Sequence, residues 1–202
     1  MKNYNFITFE GVEGCGKSSQ VKLLQEFFQA KNIASVTTRE PGGVIIAEKI
    51  REILINESHL SPKTELLLNF AARIEHIEQF IMPNLKNNKK VICDRFYDST
   101  IAYQGFAMGL EIQDIIKIKE IAIANFKPDI TFLLDIDVNH SLSRLNNRAD
   151  NNRYDKMSVE FHNKVREGFL KIAHNNKRFV IIDASMSRKE VFDQIIAKIN
   201  YD

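Results

Sequence analysis

Residues Phe6 to Ser19 read FITFEGVEGCGKSS. An apolar run comes first, the pattern G-x-x-x-x-G-K-S follows over residues 11–18, and a helix-forming segment comes next. Glycines let backbone N–H groups turn inward around a phosphate, and the N-terminus of the next helix adds partial positive charge. Strand, loop and helix therefore occur in the order that a phosphate-binding loop requires. The stretch predicts that the chain binds ATP or GTP.

Single residues of this loop have expected roles. Lys17 is expected to reach the β- and γ-phosphates, and the Ser18 hydroxyl is expected to complete the coordination of Mg²⁺. Mg²⁺ is therefore the expected cofactor, with the triphosphate as phosphoryl donor. The residues expected to bind the triphosphate are Gly11, Val12, Glu13, Gly14, Cys15, Gly16, Lys17, Ser18 and Ser19.

The composition is that of an ordinary globular protein. The 202 residues are 44% hydrophobic and 27% charged, which suits one domain with a substantial core. A formal net charge of +2 is too small to indicate a nucleic-acid or membrane partner. Cys15 and Cys93 lie far apart and the five histidines have no metal-ligand spacing, which predicts a reduced protein without structural zinc. With neither a signal segment nor a membrane-spanning run in view, we expect a cytoplasmic location.

Short β-rich runs alternate with longer helical patterns along the chain. The runs are apolar on both faces, which is typical of buried strands in a parallel sheet. Strands are predicted over 4–9, 34–38, 90–93, 130–135 and 178–183, and helices over 17–31, 44–56, 62–87, 112–126, 138–147, 156–175 and 188–200. Pro83 is expected to kink or interrupt the long helix that Ser61 and Pro62 begin. The alternation predicts one doubly wound α/β domain over 1–202, with right-handed crossovers.

Polar segments follow four of the predicted strands, at 38–43, 94–100, 135–137 and 183–185. Ligands of open α/β sheets bind at the carboxyl ends of the strands. We therefore expect these four segments to share one rim with the phosphate loop.

Three segments in register resemble bacterial thymidylate kinases, which are P-loop nucleoside monophosphate kinases. They read FEGVEGCGKS at 9–18, REPGG at 39–43 and DRFYDSTIAYQG at 94–105, and their order and spacing match over nearly the full chain. The resemblance implies a three-layer P-loop NTPase kinase fold, with a five-stranded parallel sheet flanked by helices and a mobile lid. It also implies a homodimer that transfers the γ-phosphoryl group of ATP to dTMP, giving dTDP for the synthesis of dTTP.

Arginines should dominate such a site, because transfer between two phosphates depends on positioning and on neutralising charge. The resemblance implies that Arg51 and Arg95 hold the dTMP phosphate, since a guanidinium offers a rigid fork of donors. Asp94 would lie near Mg²⁺ or its waters. Glu13 would face the 3′-hydroxyl of the monophosphate, and Glu40 and Pro41 would form part of the substrate wall.

Base recognition is where the sequence departs from the family pattern. The pattern has phenylalanine four residues before the thymine-reading arginine, whereas here Asn69 stands four and Phe70 three residues before Arg73. Both spacings lie on one helix face, so Phe70 is expected to stack on the base, with a place in the core as the alternative. Arg73 would donate to a base carbonyl. Thr100 and Gln104 would address the other edge of the base, and Tyr103 would lie where a ribose 2′-hydroxyl points.

The polar stretch over 144–155 resembles the family's lid, a loop that closes over ATP and excludes water. Some relatives place a catalytic arginine in the phosphate loop, where this chain has Gly14. Arg148 or Arg153 must then supply that charge, and Arg153 is preferred because it directly precedes the next helix. Arg144 is expected to stack on adenine.

Three other classes of protein could contain the same phosphate-binding loop. A GTPase needs an Asn-Lys-x-Asp guanine reader, and the sequence has none. A silent ATP-binding module would be expected to have lost Lys17, Asp94 or the lid arginines, all of which are present. A kinase for AMP, CMP or dGMP would keep the fold and the mechanism, and Asn69 is the residue that favours this alternative.

Overall fold

The computed structural model of the protein describes residues 4–145 and 153–199, and a parallel sheet forms its centre. The strands are β1 (Phe6–Glu10), β2 (Ser35–Arg39), β3 (Lys90–Asp94), β4 (Ile130–Asp135) and β5 (Phe179–Asp183). Among the described residues the sheet has five strands, in the order β2-β3-β1-β4-β5, and all pairings are parallel. This confirms the predicted α/β fold, and no strand end differs from its prediction by more than about two residues.

Burial separates the inner strands from the edge strands. β1, β3 and β4 are buried along nearly their whole length, whereas β2 and β5 are half-buried or exposed at most positions. The expectation of strands buried on both faces is therefore confirmed for the inner strands and wrong for the edges. An edge strand has a neighbouring strand on one side only, so part of its surface stays in contact with water.

Helices cover both faces of the sheet. They are α1 (Lys17–Ala30), α2 (Ile45–Asn56), α3 (Pro62–His76), α4 (Met82–Lys86), α5 (Tyr97–Thr100), α6 (Ile112–Ile123), α7 (Val138–Leu145), α8 (Val159–His174) and α9 (Arg188–Ile199). Two π-helical segments, π1 (Ile77–Ile81) and π2 (Ile101–Ala107), continue α3 and α5. The described helices include none that is long and apolar enough to cross a lipid bilayer.

Two hydrophobic clusters form the core, one on each face of the sheet. Alternate residues of the strands supply them, because successive side chains of a strand point to opposite faces. Ile7 and Ile92 pack with α1, α8 and α9, while Phe6 and Val91 pack with α3 and α6. The sheet is thus the middle of three layers.

The helix predicted over 62–87 is interrupted close to Pro83. Ser61 caps its start by accepting from the Thr64 amide at 3.2 Å, α3 ends at His76, and π1 separates it from α4. Proline has no amide hydrogen, and its ring crowds the carbonyl group four residues earlier. The regular α-helical hydrogen bonds therefore give way to the wider π pattern just before Pro83.

Residues 97–107 are helical, and no helix was predicted there. The sequence predicts only a polar segment at 94–100 in this region. Its larger part is π-helical, and π geometry does not follow the 3.6-residue apolar period on which the helix predictions depended. This missed element carries Ser99, Thr100, Tyr103 and Gln104 along the rim of the sheet.

The sheet register brings the polar strand ends to one rim. Asp94 aligns with both Phe9 of β1 and Arg39 of β2, and Asp135 aligns with Asp183 across β4 and β5. The phosphate loop leaves the central strand β1 at this rim. A rim of this kind, at the carboxyl ends of parallel strands, is where ligands of α/β folds bind.

Candidate active site

The phosphate loop depends on two glycines for its shape. Gly16 caps the N-terminus of α1 with a φ of 100°, which glycine adopts without a steric penalty. A Cβ atom on Gly11 would lie 2.6 Å from the carbonyl oxygen of Leu134, so the loop approaches β4 more closely than a side chain permits. The loop backbone is therefore free to turn its amide groups toward a bound anion.

Lys17 lies inside the curve of the loop. Its ammonium group is buried and donates to the carbonyl oxygens of Gly11 at 3.1 Å and Val12 at 2.9 Å. A buried ammonium group held by two neutral carbonyl groups favours an anion nearby. Val12 and Cys15 pack into the core, and Cys15 Sγ also accepts from Lys17 Nζ at 3.6 Å.

Two oxygen groups that suit Mg²⁺ meet beside the loop. Ser18 Oγ, in the first turn of α1, donates to Asp94 Oδ2 at 2.6 Å at the end of β3. The described part of the chain has no group of three or more His, Cys, Asp or Glu side chains arranged to hold a metal. In kinases Mg²⁺ takes one or two protein oxygens, while phosphate oxygens and water complete its octahedron. The Ser18 and Asp94 pair fits Mg²⁺ that arrives with a nucleotide.

Arg95 adopts a backbone conformation that is unusual outside glycine. Its φ is 71°, in the left-handed region, and its amide donates to the carbonyl oxygen of Phe9 at 2.9 Å. Its Nη1 donates to the carbonyl oxygen of Gly11 at 2.9 Å and to Ser99 Oγ at 3.0 Å. Such a conformation costs on the order of 1–3 kcal/mol and persists where surrounding contacts determine it, often at a functional site.

Glu13 forms a half-buried ion pair with Arg95, at 2.8 Å from Nη2. Burial alone would raise the pKa of Glu13, but Arg95 and Lys17 outweigh burial and lower the pKa to about 2. Burial opposes the charge of Arg95 as well, yet the Glu13 carboxylate holds the pKa of Arg95 well above its ordinary value. The Tyr103 hydroxyl accepts from Arg95 Nη2 at 3.1 Å and donates to Glu13 Oε1 at 3.3 Å. These three side chains therefore fix each other's positions with both charges present at neutral pH.

Arg51 brings a second guanidinium to the same region. Its Nη1 donates to the carbonyl oxygen of Pro41 at 2.8 Å, beside the cis peptide bond between Glu40 and Pro41. Burial, and then repulsion from Arg39, lower the pKa of Arg51. Guanidinium groups that repel each other are stabilised when an anion binds between them. Such a grouping suits a phosphate.

A buried network orients Arg73. Arg73 Nε donates to Glu40 Oε2 at 2.6 Å, and Nη2 donates to Thr100 Oγ1 at 3.2 Å. Glu40 Oε1 lies 3.0 Å from His76 Nδ1, and His76 Nε2 lies 2.6 Å from Thr38 Oγ1. Arg73 Nη1 is buried without a hydrogen-bond partner among the described residues. A buried donor left unpaired costs about 1–3 kcal/mol, so an acceptor on a ligand would stabilise this group.

His76 is a residue to which the sequence analysis assigned no role. It is fully buried, and its ring stacks on Phe80 with the centroids 5.9 Å apart. The available signal was its position three residues after Arg73, which places both on one face of α3. That spacing is equally typical of a core histidine, and only the contact with Glu40 distinguishes the two.

Phe70 lies in the core, which corrects its predicted role as the stacking residue. It is 3% exposed and packs in the cluster that contains Leu66, and the Arg73 guanidinium carbon is 4.9 Å from its ring centroid. Asn69 lines the cleft in its place, and its Nδ2 donates to the carbonyl oxygen of Glu65 at 2.8 Å. Leu66 and Phe70 are four residues apart and so share the apolar face of α3. Rotating Phe70 outward would remove it from that face.

Two of the predicted lid arginines are described. Both terminal nitrogens of Arg144 lie 3.4 Å from the carbonyl oxygen of Ala184, just beyond β5. Arg153 Nε donates to the carbonyl oxygen of Leu54 at 2.6 Å, and its Nη2 is 2.5 Å from Glu65 Oε1. The guanidinium preferred for the transferred phosphoryl group is therefore engaged by α2 and α3. Arg148, with the rest of 146–152, lies outside the described residues.

Most of the predicted residues line one central cleft between the phosphate loop, α2, α3, π2 and the end of the lid. Those lining it are Glu13, Gly14, Gly16, Lys17, Ser18, Glu40, Pro41, Arg51, Arg73, Asp94, Arg95, Thr100, Tyr103 and Gln104. Gly11, Val12, Cys15, Ser19, Phe70, Arg144 and Arg153 are not among its lining residues. Residues that line it without having been predicted include Ile55, Ser99 and Tyr154. Ser99 was within reach of prediction, because it falls inside the motif at 94–105.

The parallel sheet and its phosphate loop place the protein among the P-loop kinases. The family model described as Thymidylate kinase matches residues 9–195. A protein named thymidylate kinase from Geobacillus sp. (strain WCH70) is 46% identical, and the match covers 96% of this chain and 95% of the relative. A thymidylate kinase of Geotalea daltonii (strain DSM 22248 / JCM 15807 / FRC-32) is 42% identical, and the match covers 96% of this chain and 98% of the relative. A thymidylate kinase of Clostridium novyi (strain NT) is 40% identical, and the match covers 94% of this chain and 95% of the relative. The chain belongs to the thymidylate kinase family, which confirms the resemblance.

Proposed function

We propose that the protein transfers the γ-phosphoryl group of ATP to dTMP, forming ADP and dTDP for the synthesis of dTTP and so for DNA replication. One observation carries the proposal: the phosphate loop and Arg95 line the same cleft, so the phosphates of ATP and dTMP would meet there. Membership of the thymidylate kinase family supports dTMP as the acceptor. The unpaired Nη1 of Arg73 supports a base with a carbonyl oxygen, which thymine has.

On the donor side, Lys17 and the loop amides hold the phosphates of ATP. Ser18 and Asp94 would hold Mg²⁺, which when bound offsets negative charge on the phosphate oxygens. Arg144 lies beside the end of β5, where adenine would rest. The proposed ATP contacts are Gly11, Val12, Glu13, Gly14, Cys15, Gly16, Lys17, Ser18, Ser19 and Arg144, several of them through backbone groups alone.

On the acceptor side, Arg51 and Arg95 hold the dTMP phosphate in line with the γ-phosphate. The attacking atom is a phosphate oxygen that carries no proton at neutral pH, so the site needs no general base. Glu13 is ionised and accepts from the 3′-hydroxyl, and Tyr103 blocks a ribose 2′-hydroxyl. Glu40 and Pro41 form the wall, while Arg73, Thr100 and Gln104 read the base. Arg148 is proposed to bring the remaining positive charge when the lid closes.

ADP production from ATP and Mg²⁺, with and without dTMP, tests this function. The parent protein is expected to release ADP only when dTMP is present. Lys17→Ala is expected to reduce turnover to the level of the blank, whereas Lys22→Ala, on the exposed side of α1, is expected to match the parent. Chelation by EDTA should stop the reaction, and excess Mg²⁺ should restore it. Turnover by Lys17→Ala at the parent's rate would contradict the proposal.

We also propose that two copies form a homodimer through α2, α3 and α6. Each of these helices carries a large exposed apolar side chain: Ile53 is 43% exposed, Leu67 57% and Ile121 87%. α3 packs against both α2 and α6, so the three helices are neighbours. Clustered exposed apolar residues are typical of protein interfaces.

The remaining proposals concern domain organisation and location. We propose that residues 1–202 form one kinase domain with its lid at about 144–155, in agreement with a family match over residues 9–195. A cytoplasmic location is supported by Cys15 and Cys93, which are buried and free, as is usual in a reducing compartment.

A further inference from the structure

We propose that Glu65 is a positioning residue that joins the end of the lid to the base-reading side of the cleft. The inference rests on the proposed function and assigns a coupling within the same site. Glu65 lies in the first turn of α3, and its side chain is 2% exposed. An acidic residue in a first turn ordinarily needs no explanation beyond the helix dipole. Burial makes this carboxylate different, because a buried charge costs several kcal/mol unless it is paired.

The first set of contacts comes from the end of the lid. Arg153 Nη2 is 2.5 Å from Glu65 Oε1, and the Tyr154 hydroxyl donates to Glu65 Oε2 at 2.9 Å. Arg153 also donates to the Tyr154 hydroxyl at 2.8 Å and to the carbonyl oxygen of Leu54 at 2.6 Å. Burial, and then the Glu65 charge, raise the pKa of Tyr154, so its hydroxyl stays protonated as a donor. The end of the lid is thereby tied to α2 and α3.

The second set of contacts determines which atoms the cleft offers to a base. Gln104 Nε2 donates to Glu65 Oε2 at 3.0 Å, and Asn69 Nδ2 donates to the backbone carbonyl oxygen of Glu65. With both amide nitrogens engaged, each side chain has its carbonyl oxygen left for a ligand. Two acceptors therefore stand in the cleft beside the donor Nη1 of Arg73.

This pattern matches one class of pyrimidine. Thymine presents a carbonyl oxygen at position 4 and an N–H group at position 3, which need a donor and an acceptor. Cytosine presents an amino group and an unprotonated nitrogen at these positions, so its pattern is the reverse. By fixing the amide of Gln104, Glu65 supports thymine over cytosine at the same time as it seats Arg153 and Tyr154.

A double-mutant cycle tests the coupling. Glu65→Gln keeps the size of the side chain and removes its charge, and Arg153→Met removes the guanidinium and keeps an apolar stem. Glu78→Gln is the matched control, since Glu78 is exposed on π1. The readings are KM for the monophosphate, KM for ATP and kcat, with thermal unfolding as the check on folding.

Each single variant is expected to raise KM for dTMP about 10-fold and to change KM for ATP less than about 2-fold. The double variant is expected to show about the same 10-fold effect, because both changes break one contact. Glu65→Gln is also expected to lower the kcat/KM ratio of dTMP over dCMP about 10-fold. A role confined to stability would lower the unfolding temperature and leave that ratio unchanged.

Two results would overturn the inference. A loss near 100-fold in the double variant would show that the residues act independently. A loss of kcat at constant KM in Arg153→Met would place Arg153 on the transferred phosphoryl group. If Glu65→Gln does not fold, Arg153→Met and Tyr154→Phe form the cycle with the same expectations. The parent's own acceptor is measured first, so failure of the proposed function is seen separately, and the cycle is then read on whichever monophosphate the parent uses.

Discussion

Among single residues, Arg95 contributes most to the acceptor side of the site. It is half-buried, ion-paired with Glu13 and held in a left-handed backbone conformation. Arg95→Ala is expected to raise KM for dTMP about 100-fold with little change in KM for ATP, because it removes a charge-assisted contact to the phosphate. Arg95→Lys is expected to recover only part of the loss, since an ammonium lacks the rigid fork of donors.

Initial rates with each substrate varied in turn check this expectation. Arg188→Ala, on the exposed start of α9, is the matched control. Equal rates for Arg95→Ala and the parent at low dTMP would remove Arg95 from the site.

Glu10 predicts a pH dependence of stability. Its Oε1 accepts from the Phe96 amide at 2.8 Å and its Oε2 accepts from Ser99 Oγ at 2.6 Å. Burial, and then repulsion from Asp98, raise its pKa from 4.5 to about 7. Between these values the folded protein holds more protons than the unfolded chain, so this group's contribution to stability is lost as the pH rises through the window.

Urea unfolding of the parent and Glu10→Gln at pH 5 and pH 8 tests the sign. The free energy of unfolding of the parent, relative to the variant, is expected to fall by on the order of 3 kcal/mol from pH 5 to pH 8. The lowered pKa of Glu13 changes stability with pH in the opposite direction. Glu13 is present in both proteins, so its contribution cancels in the difference between their free energies of unfolding. If the parent and the variant differ in free energy of unfolding by the same amount at both pH values, Glu10 does not titrate in this window.

At the scale of elements, α3 presents two chemically distinct faces. Leu66 and Phe70 pack in the core, while Asn69 and Arg73 line the cleft and Glu65 binds Gln104, which also lines it. Phe70→Leu is therefore expected to lower the free energy of unfolding by about 1–2 kcal/mol and to change KM for dTMP less than about 3-fold. Denaturant unfolding and steady-state kinetics on the same preparation check both. A 10-fold rise in KM for dTMP without loss of stability would show that Phe70 contacts the base.

For α3, the sequence pattern predicts the helix itself but not which of its side chains faces the cleft. Strands and helices with a regular apolar period were predicted to within a few residues, because burial imposes that period. The choice between Asn69 and Phe70 depends on one step of helix rotation, which local spacing does not determine. Residues 97–107 were missed because the four residues of α5 are too few to show an apolar period and π2 has a different period. Elements whose form depends on tertiary contacts have no such local signal.

At the scale of the whole molecule, the proposed dimer makes a prediction about mass. Ile121→Asp places a charge in the proposed interface and is expected to convert a particle of twice the chain mass to one of single mass, because burying an unpaired carboxylate is unfavourable. Size-exclusion chromatography with light scattering measures this directly. Val159→Asp, on the exposed start of α8, is the matched control and is expected to keep the parent's mass. An unchanged mass for Ile121→Asp would place any interface elsewhere.

The sequence predicted the residues that line the cleft better than it predicted the contacts that hold them in place. Residues carried by motifs at the strand ends, such as Lys17, Glu40 and Arg95, were brought to one cleft because parallel strands end at one rim. Glu65 and His76 were not predicted, because their functions come from contacts between α3 and distant segments. Such contacts join residues 36 to 89 positions apart, which no local pattern records.

One competition experiment tests the proposed reaction most directly. The protein is given ATP, Mg²⁺ and an equimolar mixture of dTMP, dUMP, dCMP, isotope-labelled AMP, CMP, GMP and dGMP, and the diphosphates formed from these acceptors are identified by mass spectrometry, apart from the ADP that ATP leaves behind. dTDP is predicted to be the main product, and none is predicted without ATP. A different main product would contradict the assignment of dTMP while leaving a nucleotide kinase, and the absence of any diphosphate would contradict phosphoryl transfer itself.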